Sequence, residues 1–274
     1  MIGSLSIVLP MYNEHENIET AVSEAIRVGR LIAPEVEVVV VDDASTDGSG
    51  AFVDTLAMRW PELRVVHHPV NRKLGGALKT GFAAATKEWI LYIDSDLPIR
   101  MDDSLQAVPL AEDADIVIGW RKSRAESLRR EVMSWVYNRM IRLMFKLRVR
   151  DVNFAFKLFR RSFLDRIILA SEGSFIDAEL LLEMKREGAR FAEMGMDYYP
   201  RVAGVSTLAS YGVVLKILRE MVRYRVEAYG RTSDNFGGER RRLWAERSDQ
   251  SGDSVGVPQG DTPQREHHAE RTRV

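Results

Sequence analysis

Residues 89–100 read "WILYIDSDLPIR", an apolar run that finishes on two aspartates one residue apart. Charge is expensive to remove from water unless it is paired, so a buried strand should not end on two unneutralised carboxylates. Alternate residues of a strand share a face, so Asp94 and Asp96 can converge, and Pro98 with the polar residues after it marks the strand's end. Two hard oxygen ligands with no cysteine or histidine nearby suit Mg²⁺ or Mn²⁺ bridging phosphates. The plain alternative is a pair of solvated loop aspartates, one of them a helix N-cap. Their place directly after a buried strand favours the metal.

Further runs of the same kind are "SLSIVLP" (4–10), "EVEVVVVDD" (35–43), "LRVVHHP" (63–69) and "ADIVIGW" (114–120). With 88–94 they read as strands buried on both faces, separated by helical patterns near 14–31, 46–60, 73–86 and 101–111. This alternation predicts an α/β fold: a mostly parallel central sheet covered by helices on both sides. Ligands bind such sheets at the carboxyl ends of the strands, where Asn13 and Glu14, Asp42 and Asp43, and Asp94 and Asp96 all fall. Beyond residue 120 the patterns predict a long helix over 124–147, a strand-like run over 153–161, and helices over 162–170 and 176–187. A strand-like run over 190–199 and a last amphipathic helix over 209–229 follow. One domain over 1–229 is expected. From about Gly230 the chain is too poor in apolar residues to offset its ordering entropy, so 230–274 is expected to be a disordered polar tail.

Composition narrows the function. Hydrophobic residues make up 45% and charged residues 29% of 274, the balance of a soluble globular chain of one large or two small domains. Lys and Arg total 39 against 40 Asp and Glu, so net charge predicts no general affinity for nucleic acid. Without cysteine there are no disulfides, thiolate zinc sites or cysteine nucleophile. No stretch approaches the roughly 18 apolar residues of a membrane span, and the N-terminus runs into a strand without a basic leader. The expectation is a cytoplasmic protein, peripheral on the cytoplasmic face of a membrane where it meets one. His67 and His68 point to opposite faces and lack a third ligand, so no metal role is assigned to them.

The loops discriminate among folds with acids at parallel strand ends. A dinucleotide-binding turn needs glycines after the first strand, but the sequence there is "LPMYNEHEN"; a P-loop motif is absent. A phosphoacceptor receiver could use Asp42 and Asp43, but its remaining acids and lysine are hard to place. A nucleotide-sugar fold remains. The segments "SIVLPMYNEHENI", "VVVVDDASTDGSG", "NRKLGGALKTGF", "LYIDSDLP" and "DVNFAFKLFRRSF" resemble, in order, the motifs of family 2 glycosyltransferases of the GT-A fold. They resemble most the dolichol-phosphate mannose synthase-like branch, which moves a sugar from a nucleotide diphosphate onto a polyprenyl phosphate.

The resemblance implies that Pro10, Tyr12 and Glu14 line a nucleoside pocket, that Asp42 takes the base or ribose, and that Asp43 shares that role. Tyr12 as a packed aromatic and Glu14 as a first-turn helix acid are the bland readings. Ser45 and Asp47 read as caps of the next helix. Gly75 and Gly76 permit close backbone approach, and Lys79 faces the nucleotide or remains a solvated helix lysine. Two departures stand out. Pro98 replaces the glutamine of "D-x-D-x-Q", and Ala155 replaces the glycine of "D-x-x-x-G-F-K", a segment that begins here at Asp151, the residue expected to support Lys157 or the acceptor site.

Two acceptors are open. A hydroxyl acceptor needs a base, and Asp177 at the start of a helix, with Glu179 near it, sits where hydroxyl-accepting relatives carry theirs; both acids would also simply suit the positive helix end. A phosphate acceptor needs cations instead. Residues 121–150 hold ten Lys or Arg against two Glu, a net of +8, and the resemblance implies phosphate-facing roles for Arg121, Arg130 and Arg201. Arginine's fork matches phosphate oxygens. The leading expectation is therefore a metal-dependent inverting transferase using GDP-mannose or UDP-glucose and a polyprenyl phosphate. The helix over 124–147, with Leu128, Val132, Trp135, Val136, Met140, Leu143, Met144 and Leu147 on one broad face, is either a core helix or a membrane-surface element. The final helix repeats the pattern. Transfer to a carbohydrate hydroxyl, with Asp177 as base, is the alternative.

Overall fold

The structure, a computed structural model, describes residues 1–122, 128–199 and 219–226, without the side chains of 128–132. Strands β1 (Ser4–Met11), β2 (Glu35–Asp42), β3 (Leu63–His67), β4 (Trp89–Ile93), β5 (Ile116–Arg121), β6 (Phe156–Arg160) and β7 (Phe191–Met196) form one sheet. Their order is β3-β2-β1-β4-β6-β5-β7. Between them lie helices α1 (Ile18–Ile32), α2 (Ser49–Ala57), α3 (Lys73–Ala84), α4 (Ala107–Leu110), α5 (Leu128–Phe145) and α6 (Ile176–Arg186).

The valine runs are buried on both sides of the sheet. Leu5, Ile7, Leu9, Val38 and Val40 pack into one core with Val22, Ile26, Val53 and Leu56 of α1 and α2. Val8, Val39 and Val41 pack into a second with Leu78, Phe82, Ile141, Phe145 and Leu181 of α3, α5 and α6. Each such side chain contributes about 1.5–3 kcal/mol by leaving water. A solvent-facing strand would have alternated, and these do not, which is why the expected α/β sheet is observed.

β1 is parallel to β2 and β4, as β2 is to β3 and β5 to β7. β6 runs antiparallel to both β4 and β5. An apolar run carries no direction, so this reversal is not legible in the sequence, yet it sets the site. It puts the start of β6 against the end of β4, with Lys157 opposite Tyr92 and Phe156 opposite Ile93.

Two expected helices take other forms. Over 101–111 a 3₁₀ segment (Met101–Gln106) precedes α4; Pro109 has no N–H to extend an α-helical ladder from Leu105, so the helix restarts. Over 162–170 only Arg161–Phe163 forms a 3₁₀ turn. Leu164 N, Arg166 N and Ile167 N still bond back to Arg161 O and Phe163 O, but the turns go no further: Glu179 of α6 accepts from Ala170 N at 3.0 Å and Ser171 N at 2.8 Å. The extended segment then lies on the N-terminus of α3, where Gly75 N donates to Glu172 O at 2.9 Å. A Cβ on Gly75 would stand 2.6 Å from the Glu172 carbonyl carbon, so only glycine admits this approach.

The apolar residues of α5 do not form one face. Ile141 and Phe145 enter the core, Met140 and Met144 pack against it, and Leu147 just beyond the helix is buried. Trp135, Val136 and Leu143 are exposed, Trp135 and Leu143 at 62% and 66%. Leu128, Val132 and Arg130 lie in α5 with side chains outside the described set. Of the final helix, 219–226 is described, with Met221 and Tyr224 in the second core. Arg201 and the segment from 230 onward lie outside the described residues.

Candidate active site

The carboxyl ends of β1, β2, β4 and β5 and the start of β6 meet along one edge of the sheet. Backbone strain collects in the loops there: Asn13, Ala44 and Leu97 all have positive φ, a conformation that non-glycine residues adopt at a cost.

The loops after β1 and β2 are joined by side chains. Asn13 N donates to Ser45 Oγ at 3.0 Å, Thr46 N to Asn13 Oδ1 at 2.8 Å, and Glu14 N to Ser49 Oγ at 3.0 Å. Ser45 thus bonds across the loops rather than capping α2, whereas Asp47 does accept from Ser49 N at the helix start, at 3.0 Å. Glu14 accepts from Asn17 Nδ2 at 2.7 Å. Pro10 is half-buried and Tyr12 exposed beside them. Gly76 is buried under Arg72, and Lys79 donates to Ala170 O at 3.3 Å.

Asp42 and Asp43 are both buried, and each has a histidine partner. Asp43 accepts from Arg72 N at 2.7 Å and lies 2.7 Å from His68 Nδ1, whose Nε2 is 2.8 Å from Thr80 Oγ1. Asp42 accepts from Ser45 N at 2.9 Å and lies 2.9 Å from His67 Nδ1, whose other nitrogen is 3.0 Å from Asp54. Sequence reasoning gave these histidines no task. The signal was available: "VVDD" and "VVHH" end adjacent parallel strands, and Asp42 is in register with His67.

This pair makes stability depend on pH. Burial pushes the Asp42 carboxyl up, but hydrogen bonds from Ser45 and His67 outweigh it and hold it below the ordinary carboxylate range. Burial pushes the His67 imidazole down, but its bonds to Asp42 and Asp54 outweigh that and raise it. A raised histidine stabilises fully below its unfolded value and loses that contribution as pH rises through the folded one; a depressed carboxylate loses its contribution as pH falls. The thermal-midpoint deficit of His67→Asn should therefore be largest between about pH 4 and pH 6.5 and shrink above that range. The effect should be small, since the His67 side chain is 43% exposed and screened. A deficit that is flat with pH would refute it.

At the end of β4, Asp94 and Asp96 are half-buried in a turn. Tyr92 donates from its hydroxyl to Asp94 Oδ1 at 3.1 Å. Burial first, then the charges of Asp177, Asp94 and Asp96, raise the Tyr92 phenol well above its ordinary pKa, so it stays a donor. Lys157 is wholly buried and its Nζ makes an ion pair with Asp177 at 2.5 Å, a bond to Phe154 O at 2.9 Å, and a contact 5.2 Å from the Tyr92 ring centre. Asp177 is itself 4% exposed, and burial lifts its carboxyl above the usual range although Lys157 pulls it down. Asp151 pairs with Arg121 Nε at 2.8 Å, not with Lys157. The Arg121 guanidinium lies over Tyr198 at 5.2 Å and Phe154 at 5.7 Å.

Asp94, Asp96, Arg121, Lys157 and Asp177 therefore belong to one edge of the sheet, with Pro10, Tyr12, Glu14 and Asp42 toward its β2 side. Among the described residues, no three His, Asp or Glu side chains assemble into a metal cage. A cation held by two carboxylates and a diphosphate needs no third, and the all-oxygen, half-buried pair after β4 fits Mg²⁺ or Mn²⁺.

The family model described as Glycosyl transferase family 2 matches residues 6–168, more than half of the chain. The chain belongs to glycosyltransferase family 2. A glycosyltransferase AglD of Haloferax volcanii is 31% identical over 207 residues, 72% of this chain and 33% of that protein. The chain thus spans about a third of that relative's length. The undecaprenyl-phosphate mannosyltransferase of Micrococcus luteus is 27% identical over 234 residues, 81% of this chain and 93% of that protein. Among solved structures, glucosyl-3-phosphoglycerate synthase from Mycobacterium tuberculosis, in complex with Mn²⁺, UDP and glucosyl-3-phosphoglycerate, superposes with a TM-score of 0.61 at 20% identity. That match covers 85% of this chain and 82% of that one, and shows the GT-A fold.

Proposed function

We propose that this family 2 glycosyltransferase is a metal-dependent inverting enzyme moving mannose or glucose from a nucleoside diphosphate sugar to a polyprenyl phosphate. Inverting transfer needs an acceptor oxygen to attack the anomeric carbon as the nucleoside diphosphate leaves. A phosphate monoester, with a second pKa of about 6, supplies that oxygen already anionic; a hydroxyl must give its proton to a base.

The observation that carries the phosphate reading is the state of the acids opening α6. Asp177 is buried in an ion pair with Lys157, and Glu179 is buried holding two backbone amides. Proton abstraction by Asp177 would require it to leave a partner in a place closed to water. Arg121, held by Asp151 and flanked by aromatic rings, supplies a cation on the same edge. Arg130 and Arg201 join it by resemblance alone. Asp94 and Asp96 would hold Mg²⁺ or Mn²⁺, which neutralises charge on the leaving diphosphate. Tyr12, Glu14 and Asp42 would take the nucleoside, while Asp43 and Gly76 shape the loop beneath it. The name of the Micrococcus relative, an undecaprenyl-phosphate mannosyltransferase, supports the same acceptor class, and that of the Haloferax relative supports glycosyl transfer.

A lipid acceptor requires approach to a bilayer. No described helix is long and apolar enough to cross one. On α5, exposed Trp135 and Leu143 stand beside exposed Arg139 and Arg142, a mixture suited to an anionic membrane surface. The last helix and the polar segment 230–274 complete this proposed arrangement of one transferase domain and a tail.

One assay tests the whole reading. Protein is incubated with Mg²⁺, radiolabelled GDP-mannose or UDP-glucose, and phosphatidylglycerol vesicles carrying either a short polyprenyl phosphate or the corresponding polyprenol. Labelled lipid only in the phosphate arm, with protein sedimenting with the vesicles, is the expected outcome. Comparable transfer to the polyprenol, or no product with either donor, would sink it.

A further inference from the structure

Tyr92 is a fully buried phenol on β4, packed edge-on against Phe82 at 6.4 Å and covered on its face by Lys157 Nζ at 5.2 Å. Phenylalanine would fill the same space without a polar atom to satisfy, whereas a buried hydroxyl must find a partner. The partner is not backbone. It is Oδ1 of Asp94, two residues on, at 3.1 Å. The donor comes from a ring fixed by the sheet and by a buried ion pair, while its acceptor stands at the strand's end, where the chain turns and Leu97 takes a positive φ of 45°. The bond therefore runs from a ring packed in the core to a carboxylate at the strand's end.

Carboxylates that ligate metals are commonly held by a hydrogen bond from the protein, which fixes their rotation and favours the bound geometry. We propose that Tyr92 is the positioning residue for Asp94, its hydroxyl fixing the carboxylate so that the cation and diphosphate meet a preset ligand. The inference rests on the assignment of Asp94 as a metal ligand. It adds a specific task to a core residue and gives the Lys157–Asp177 pair a second one, that of holding the ring.

Tyr92→Phe deletes the hydroxyl alone and keeps the ring, its packing and the lysine above it. Mn²⁺ is titrated into wild type and variant in the presence of UDP and, in a parallel series, GDP, with free Mn²⁺ read by electron paramagnetic resonance. The Mn²⁺ dissociation constant should rise about tenfold in Tyr92→Phe, with kcat recovering toward wild type at saturating Mn²⁺. A packing role alone would lower the thermal midpoint and leave the Mn²⁺ affinity unchanged. A dissociation constant within about twofold of wild type overturns the proposal. Asp94→Asn separates the two layers. If it loses Mn²⁺ while Tyr92→Phe does not, only the role of Tyr92 falls; if it binds Mn²⁺ like wild type, the ligand assignment falls and the role of Tyr92 with it.

Discussion

Asp96→Asn is expected to lower turnover with a nucleoside diphosphate sugar by about 10²–10³-fold while leaving the thermal midpoint near that of wild type. The two halves of this expectation have separate causes. Asp96 lies after the last residue of β4, half-buried in a turn, and asparagine keeps its size and shape there. An asparagine oxygen can still approach Mg²⁺, but it brings no negative charge, and charge is what holds a hard cation against a diphosphate. Weaker neutralisation of the departing diphosphate is felt most in the transition state, where that group gains charge, so kcat should fall more than the KM for the donor rises. Raising Mn²⁺ should recover part of the activity by mass action. Initial rates across a Mn²⁺ series, beside a thermal melt, check it. Activity within about threefold of wild type would remove Asp96 from the reacting centre.

How much of this was legible depends on the range of the interaction. β1, β2 and β4 were legible because a strand buried on both faces is written locally, as in "VVVV" at 38–41. The acids at their ends were legible for the same reason, since the edge at which parallel strands finish follows from the fold. The direction of β6 was not, because "FKLFR" reads equally well either way. Nor was the early end of the helical turns in 162–170, beyond which Ala170 N and Ser171 N go to Glu179, a choice made by tertiary contact. The histidines fall between these cases. Each is chemically conspicuous, but their roles appear only once β3 is laid in register beside β2 and His67 meets Asp42. Asp177 was readable as an acid at a helix start. That it is neutralised by Lys157 was not, since a lysine within a strand gives no sign of whether it faces water or a carboxylate 20 residues away.

That pair yields the largest expected change in stability. Lys157 is 0% and Asp177 4% exposed, so Lys157→Met should cost about 3–5 kcal/mol by leaving a carboxylate buried without its cation. The cost should vary with pH in a defined sense. Burial already holds the Asp177 carboxyl high; without Lys157 it rises further. A carboxyl whose folded value exceeds its unfolded one stabilises below the unfolded value and loses that contribution as pH rises through the folded one, so the deficit should be small near about pH 4 and grow through neutrality. Denaturant melts of Lys157→Met at several pH values check this, and a deficit that is independent of pH would contradict it. The double variant Lys157→Met/Asp177→Leu removes both charges and should regain most of the loss, since well-packed apolar residues often match or exceed a buried ion pair. If that variant melts like wild type yet transfers no sugar, the pair is retained for the order it imposes on Tyr92 and the strand end rather than for stability. If it both melts and turns over like wild type, the lysine and aspartate are exchangeable core, and the organisation of the site must come from Arg121 and the loops after β1 and β2.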